Sequence, residues 1–210
     1  ARVLQYLLRL PPGSDSRVFE VVLLAIFTCI SNFPRTLTRI PQNDGIFALF
    51  SQCHADPADV ALAGHAIHDP IGLCSTQNTP NFGIVLLLLG GAALRFCQTT
   101  ITFGALVPAG LFVPSLFIGG CVGRCMGVLL KFAGLDIEPG IYAMVGAGAV
   151  LAGVSRLTIS LVVVLFELTG GLTYVVPFMV AVLSAKWVGD FITDGKSVYD
   201  VHAEMGGLAK

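Results

Sequence analysis

Long apolar stretches interrupted by glycine and proline constrain this chain more than any other feature. These stretches cover residues 18–33, 82–103, 105–130 and 140–192. A helix needs about 20 apolar residues to cross a bilayer, so the longer stretches are predicted membrane spans. The last stretch is too long for one span, and we expect Arg156, Gly170-Gly171 and Pro177 to divide it into about three pieces. The sequence therefore predicts an all-α polytopic membrane protein with short, broken and re-entrant helices.

The low charge of the chain supports this class. Charged residues make up 12% of the 210 residues and the formal net charge is −1, whereas soluble domains carry about 25% charged residues. A nucleic-acid-binding protein needs a basic excess on one face. A disordered chain would carry more charge and fewer apolar residues. We therefore expect a lipid bilayer around the chain and no nucleic-acid partner.

The placement of charge predicts how the chain is oriented in the membrane. Residues 41–82 contain no Lys or Arg, whereas the residues near both ends carry several. By the positive-inside rule, we expect 1–17 to be a cytosolic connecting segment and 206–210 to begin a cytosolic linker. The membrane domain is predicted over 18–205, with 41–82 as an extracellular or lumenal loop.

Two cysteines fall in this predicted external loop, where oxidation is permitted. Cys53 and Cys74 are therefore candidates for a disulfide bond. The loop also contains His54, His65 and His68, but their spacing fits no standard zinc pattern. No metal site is predicted.

The stretch Gly110-Leu-Phe-Val-Pro114 is the strongest indication of a binding site. A proline in the first turn of a helix is typical of a helix start, and here the start falls inside an apolar stretch. The first N–H groups of a helix have no partner within it, and an anion there gains these donors and the positive end of the helix dipole. An anion site and a kink in a packed helix both fit these residues.

Two further side chains are candidates for the same site. Gly195-Lys-Ser-Val-Tyr199 predicts a helix over 198–205 with Ser197 as its N-cap, and the Tyr199 hydroxyl could donate to an anion without adding charge. Taken alone, this tyrosine fits an aromatic anchor at the membrane interface better. Glu167 lies inside an apolar run, one turn before Gly170-Gly171. A helix-end anchor is favoured there over a functional carboxylate.

Together these motifs resemble the CLC family of chloride channels and chloride/proton antiporters. Gly110-Leu-Phe-Val-Pro114 is similar to the family's G-x-F-x-P motif, and residues 153–171 are similar to its stretch ending in F-E-L-T-G. Gly195-Lys-Ser-Val-Tyr199 looks like the start of the family's last membrane helix. The first-half motifs G-S-G-x-P and G-[KR]-E-G-P do not occur in this sequence. We therefore expect the second inverted-repeat half of a eukaryotic-like CLC fold.

The resemblance implies a chloride site and several partners. Chloride would be bound by the backbone N–H groups of Leu111 and Phe112 and by the Tyr199 hydroxyl, with Gly110 and Pro114 supporting the motif. Chloride would be a substrate, exchanged for protons in the antiporters, and no cofactor is expected. Members pair as homodimers, and eukaryotic members continue into cytosolic CBS domains that sense nucleotides. The implied dimer-interface candidates are Ile159, Val163, Phe178 and Val182.

Chloride/proton antiport is the predicted function, because Gly-Val-Ser-Arg156-Leu-Thr looks more like the intracellular exchangers of the family than its plasma-membrane channels. A voltage-gated chloride channel of the same family is the alternative. An intramembrane serine protease would need a histidine near Ser115 or Ser160, and all four histidines lie in the loop or at position 202. A non-transporting membrane scaffold would leave the intramembrane helix start unexplained. No enzymatic activity is predicted, and the plasma membrane and endomembranes both fit.

Overall fold

The computed structural model describes residues 14–33, 36–51, 82–104, 110–135, 138–169, 175–193 and 195–205. Every regular element in these ranges is a helix, as predicted. The helices are α1 (Ser14–Asn32), α2 (Thr36–Arg39), α3 (Gln42–Phe50), α4 (Phe82–Gly104), α5 (Phe112–Phe132), α6 (Pro139–Ser155), α7 (Ile159–Thr169), α8 (Val175–Thr193) and α9 (Val198–Met205).

Three runs among the described residues are long and apolar enough to cross a membrane. They are Phe82–Phe103, Phe112–Phe132 and Val175–Val201. The first two correspond to α4 and α5, and the third takes in α8 and the start of α9. The most apolar part of the α5 run is 56% buried inside the chain, compared with 28% for the α4 run and 11% for the third. Helix α5 is therefore the central one, and the other two leave apolar surface for lipid or for other parts of the protein.

Glycines bring α5 and α6 into backbone contact. Gly119, Gly123 and Gly127 are four residues apart and therefore share one face of α5. A Cβ atom at Gly123 would lie 2.1 Å from the carbonyl oxygen of Tyr142, and one at Gly119 would lie 2.5 Å from the carbonyl oxygen of Gly146. Small residues allow this close approach between membrane helices. The two helices consequently pack with no room for a side chain between these backbones.

A buried apolar core joins this pair to the surrounding helices. The largest fully buried side chains include Leu37, Leu49, Leu88, Phe117, Leu151, Leu161, Leu165 and Phe178. These side chains come from seven helices, α2 to α8. The core therefore connects α5 and α6 to both the earlier and the later parts of the described chain.

Residues 42–50, predicted as part of the external loop, form α3 and pack against α5. Leu49 is fully buried, and Arg124 of α5 donates from Nη1 to the carbonyl oxygens of Ala48 at 2.9 Å and Leu49 at 2.6 Å. The carbonyl groups at the end of a helix carry partial negative charge, which the guanidinium complements. A nine-residue helix depends on such packing rather than on its own propensity. The sequence pattern alone therefore did not predict it.

The long stretch 140–192 divides into three helices as predicted, with one boundary in the wrong place. Helices α6, α7 and α8 lie in it, and Arg156 follows the end of α6. Pro177 does not separate two pieces, because it is the third residue of α8. In the first turn a helix has unpaired N–H groups, so the N–H that proline lacks is not needed there.

Two of the four dimer-interface candidates are buried within the chain. Phe178 is 0% exposed and Val182 is 1% exposed, and both belong to the apolar core. Residues four apart lie on the same helix face, and this face of α8 packs inward. The prediction for these two residues is therefore corrected. Ile159 (74% exposed) and Val163 (48% exposed) lie on the surface of α7 and remain candidates.

The variant Gly123→Ala should destabilise the protein, because its Cβ would overlap the Tyr142 carbonyl and force α5 and α6 apart. Overpacking of this kind costs about 1–3 kcal/mol, which should lower the thermal-unfolding midpoint of the detergent-solubilised protein. Gly153→Ala in α6 is the matched control, since a Cβ there would meet nothing within 4 Å. Equal midpoints for the two variants would contradict the close contact between these helices.

Candidate functional site

Helix α5 begins at the motif that predicted a helix start. Leu111 has φ −92° and ψ −17°, and the helix runs from Phe112. The N–H of Ser115 donates to the carbonyl oxygen of Leu111 at 3.1 Å. The N–H groups of Leu111 and Phe112 lie before this bond, so the helix supplies no carbonyl acceptor for them. The predicted helix N-terminus is confirmed at Gly110-Leu-Phe-Val-Pro114.

Among the described residues, no side chain caps this helix start. Leu111 makes no side-chain cap, and the first turn of α5 carries no acidic residue. A Cβ atom at Gly110 would meet nothing within 4 Å, and Phe112 is 38% exposed. In the part of the chain that the structure describes, no side chain occupies the positive end of α5, where an anion would gain the N–H donors and the helix dipole.

A cavity of about 260 Å³, lined mainly by residues with polar side chains, reaches this helix start. Its lining residues come from α1, α3, α4 and the beginning of α5, and they are Thr28, Asn32, Gln42, Arg95, Gln98, Thr99, Thr102, Phe103, Gly110 and Pro114. Among these residues Arg95 carries the one formal charge, and no carboxylate is present. The cavity therefore brings a positive charge into the same space as the N-terminus of α5.

Two buried N–H groups of the lining side chains are without hydrogen-bond partners in the described part of the chain. They are Nε of Arg95 and Nε2 of Gln42. The rest of the Arg95 guanidinium is held in place, because it donates to the Thr38 carbonyl oxygen at 3.3 Å and to Gln98 Oε1 at 3.5 Å. It also lies 5.5 Å from the centre of the Phe117 ring. Unpaired buried donors are unfavourable, so this cavity is suited to an anion or to water that can accept from them.

Tyr199 is the second residue of α9, and the start of this helix is capped as predicted. The Ser197 hydroxyl donates to Asp200 Oδ2 at 2.7 Å and accepts from the Asp200 N–H at 3.1 Å. The N–H of Ser197 donates to the same carboxylate oxygen at 2.9 Å, which completes a reciprocal capping arrangement. Tyr199 is 49% exposed. Its hydroxyl makes no hydrogen bond to any described residue.

Helix α6 connects the two parts of the predicted site. Helix α5, which carries Leu111 and Phe112, meets α6 along the glycine interface. Helix α9, which carries Tyr199, also packs against α6. The position of the tyrosine relative to the start of α5 therefore depends on how each helix is attached to α6.

Sequence patterns predicted no role for Arg95, although α4 contains a signal for the cavity. Three polar residues follow Arg95 at distances of three, four and seven positions along the chain, namely Gln98, Thr99 and Thr102. This spacing places all four on one polar face of an otherwise apolar helix. A polar face inside a membrane span indicates a polar cavity or a polar neighbour. The spacing of these four residues was the signal that could have located the cavity.

The remaining candidate residues lie away from this cavity or outside the described residues. Glu167 is exposed near the end of α7, in agreement with the favoured role as a helix-end anchor. Cys53 and Cys74 fall outside the described residues, and their pairing stays a prediction.

Comparison with known proteins decides the family. A model of the voltage gated chloride channel family matches residues 7–190. The chain belongs to the CLC family. The H(+)/Cl(-) exchange transporter 3 of Homo sapiens is 36% identical to this CLC chain over 215 residues, and the H(+)/Cl(-) exchange transporter 5 of Cavia porcellus is 34% identical over 217 residues. Each alignment covers 90% of this chain but only 26% and 28% of the relatives, so the chain spans about a quarter of their length.

A solved structure supports the fold of this CLC chain. The crystal structure of a eukaryotic CLC transporter matches 96% of the chain and 37% of its own length, with a TM-score of 0.54 and 24% identity. The predicted all-α fold and the resemblance read from the motifs are therefore confirmed. Family membership and the apolar helices identify the chain as part of a membrane protein. The chloride-binding roles of Leu111, Phe112 and Tyr199 stay predictions.

The variant Arg95→Gln should weaken halide binding, because it removes the positive charge of the cavity while keeping a polar side chain. Hydrogen bonds to charged groups contribute about 1.5–3 kcal/mol, so we expect roughly a tenfold or greater rise in the dissociation constant. Isothermal titration calorimetry of the purified full-length protein with chloride measures this dissociation constant. Arg95→Lys, which retains the charge, is the matched control. Unchanged affinity in a folded Arg95→Gln protein would contradict a role of this charge in anion binding.

Proposed function

We propose that this chain is the anion-binding half of a CLC chloride/proton antiporter, with chloride held at the start of α5. The observation that carries the proposal is the helix N-terminus at Leu111 and Phe112, which no side chain of the described residues caps. Its neighbours Gly110 and Pro114 line a cavity that contains the Arg95 charge. Two backbone donors, a helix dipole and a cation in one place favour an anion over a cation or a neutral ligand.

The chemistry of these donors suits transport rather than tight storage. Backbone N–H groups and a tyrosine hydroxyl carry partial charges, so each contributes less attraction than a lysine or arginine in direct contact. An ion that must enter and leave requires this balance between attraction and release. Tyr199 supplies a third donor without changing the net charge of the site. No bond is made or broken in this process, so the proposed function is transport and not catalysis.

Exchange is favoured over channel conduction by the names of the similar proteins. The relatives from Homo sapiens and Cavia porcellus are named as H(+)/Cl(-) exchange transporters. A voltage-gated chloride channel is the second candidate, because the matching family model carries the description of a voltage gated chloride channel. Chloride-driven proton movement in liposomes that contain the full-length protein distinguishes the two, since only an exchanger moves protons against their gradient.

The proposal also covers the partners of this chain and its place in the membrane. Ile159, Val163 and Trp187 are exposed apolar side chains on α7 and α8, as required for a surface covered by a second subunit or by lipid. We assign 1–17 and 206–210 to the cytosolic side of a plasma membrane or endomembrane. The homodimer, the first half of the subunit and the nucleotide-sensing CBS domains belong to this proposal as implied by the family.

Anomalous scattering from bromide should locate the ion in crystals of the full-length protein. We expect a peak within hydrogen-bond distance of the Leu111 and Phe112 N–H groups, because bromide accepts the same donors as chloride. The Tyr199 hydroxyl should contact the same ion. Absence of a peak at the start of α5, in crystals that bind bromide elsewhere, would overturn the proposed site.

The variant Tyr199→Phe should raise the chloride KM and reduce the number of protons moved per chloride, because the ion loses one donor. Loss of a single hydrogen bond corresponds to a change of about threefold to tenfold. Chloride and proton fluxes measured together in liposomes test both effects. Tyr142→Phe, which removes a hydroxyl from α6 instead, is the control. Identical fluxes for the two variants would leave Tyr199 as an interfacial anchor only.

A further inference from the structure

Arg156 occupies a backbone position that disfavours an arginine. It follows the end of α6 with φ 61° and ψ 9°, and among the described non-glycine residues it alone has a positive φ. This left-handed conformation usually belongs to glycine or asparagine, because the Cβ atom of other residues is crowded there. A residue held in such a conformation indicates that the surrounding contacts outweigh the strain.

The Arg156 side chain binds the end of α8 and the segment that leads into α9. Its Nη1 pairs with Asp190 Oδ1 and donates to the Lys186 carbonyl oxygen at 3.3 Å. Its Nη2 donates to Thr193 Oγ1 and to the Lys196 carbonyl oxygen at 3.4 Å. The side chain is only 12% exposed. The fixed fork of a guanidinium can satisfy several acceptors at once, which a lysine cannot do in the same geometry.

Helix α8 provides the space for this guanidinium. A Cβ atom at Gly189 would lie 3.0 Å from Nη1 of Arg156 and 3.1 Å from its Cζ. A Cβ atom at position 189 would therefore crowd the guanidinium, which would have to shift by a few tenths of an ångström. The glycine is a second and independent sign that this contact is built into the fold.

These contacts link the two halves of the candidate site. Arg156 ends α6, which the glycine interface fixes against α5 and its N-terminus. Lys196, whose carbonyl Arg156 binds, lies one residue before the Ser197 cap of α9 and three residues before Tyr199. We propose that Arg156 is a positioning residue, which sets the Tyr199 hydroxyl at its distance from the start of α5. This inference rests on the proposed function, in which both parts contact one chloride ion.

The test uses two variants that remove the contact in different ways, in the full-length protein reconstituted into liposomes. Arg156→Gly deletes the side chain and its contacts while allowing the left-handed backbone, so its effect comes from the lost contacts and not from backbone strain. Gly189→Ala keeps the arginine but displaces its guanidinium. Arg156→Gly should raise the chloride KM about threefold to tenfold, as Tyr199→Phe does, and Gly189→Ala should raise it by less. Gly153→Ala, where a Cβ meets nothing within 4 Å, should leave the KM unchanged.

A double variant separates positioning from general stability. If Arg156 acts through the tyrosine, Arg156→Gly should add no further rise in KM once Tyr199→Phe has removed the hydroxyl. Bromide crystals of Arg156→Gly should retain the peak at Leu111 and Phe112 but lose its contact with Tyr199. Fully additive losses, or an unmoved tyrosine, would overturn the positioning role. A wild-type protein without the bromide peak would instead overturn the proposed function itself.

Discussion

The backbone contact between α5 and α6 is the constraint on which the rest of the structure depends. Gly123 lies against the Tyr142 carbonyl so closely that even a methyl group would not fit. Apolar burial gives little drive for helix association in a bilayer, because lipid tails are as apolar as leucine. Close van der Waals packing of the two helix surfaces must therefore hold the helices together. This close contact fixes the place of α5, and with it the place of the helix start at Leu111 and Phe112, relative to α6.

The start of α5 has N–H donors that need acceptors, and the surrounding described helices do not supply all of them. Unpaired N–H groups at membrane depth are unfavourable, and the cavity adds the buried Nε of Arg95 and Nε2 of Gln42 without acceptors. A carboxylate in the cavity would satisfy these donors, but it would also repel an anion. No carboxylate is present among the described lining residues, so these donors stay available to the anion of the proposed function.

Local rules predicted the parts of the site that depend on neighbouring residues in sequence. The start of α5 followed from Gly110 and Pro114, and the start of α9 followed from the Ser197 cap. Contacts between distant residues could not be predicted in this way. Helix α3 is held by Arg124, 75 residues later than Leu49. Pro177, which was expected to divide the stretch 140–192, is the third residue of α8. Phe178 and Val182 form an apolar face, but an apolar face does not show whether it is covered by the same chain, a second subunit or lipid.

Arg95 and Arg156 show how unfavourable positions indicate function. Arg95 places a charge in an apolar span, and Arg156 adopts a backbone conformation that suits glycine. Neither position would favour arginine if stability of the isolated helix were the only requirement. Each side chain reaches a different part of the candidate site, since Arg95 lines the cavity at the start of α5 and Arg156 holds the segment before Tyr199. Under the proposed function the two positions have one explanation, in which Arg95 attracts the anion and Arg156 positions the Tyr199 hydroxyl as its third donor.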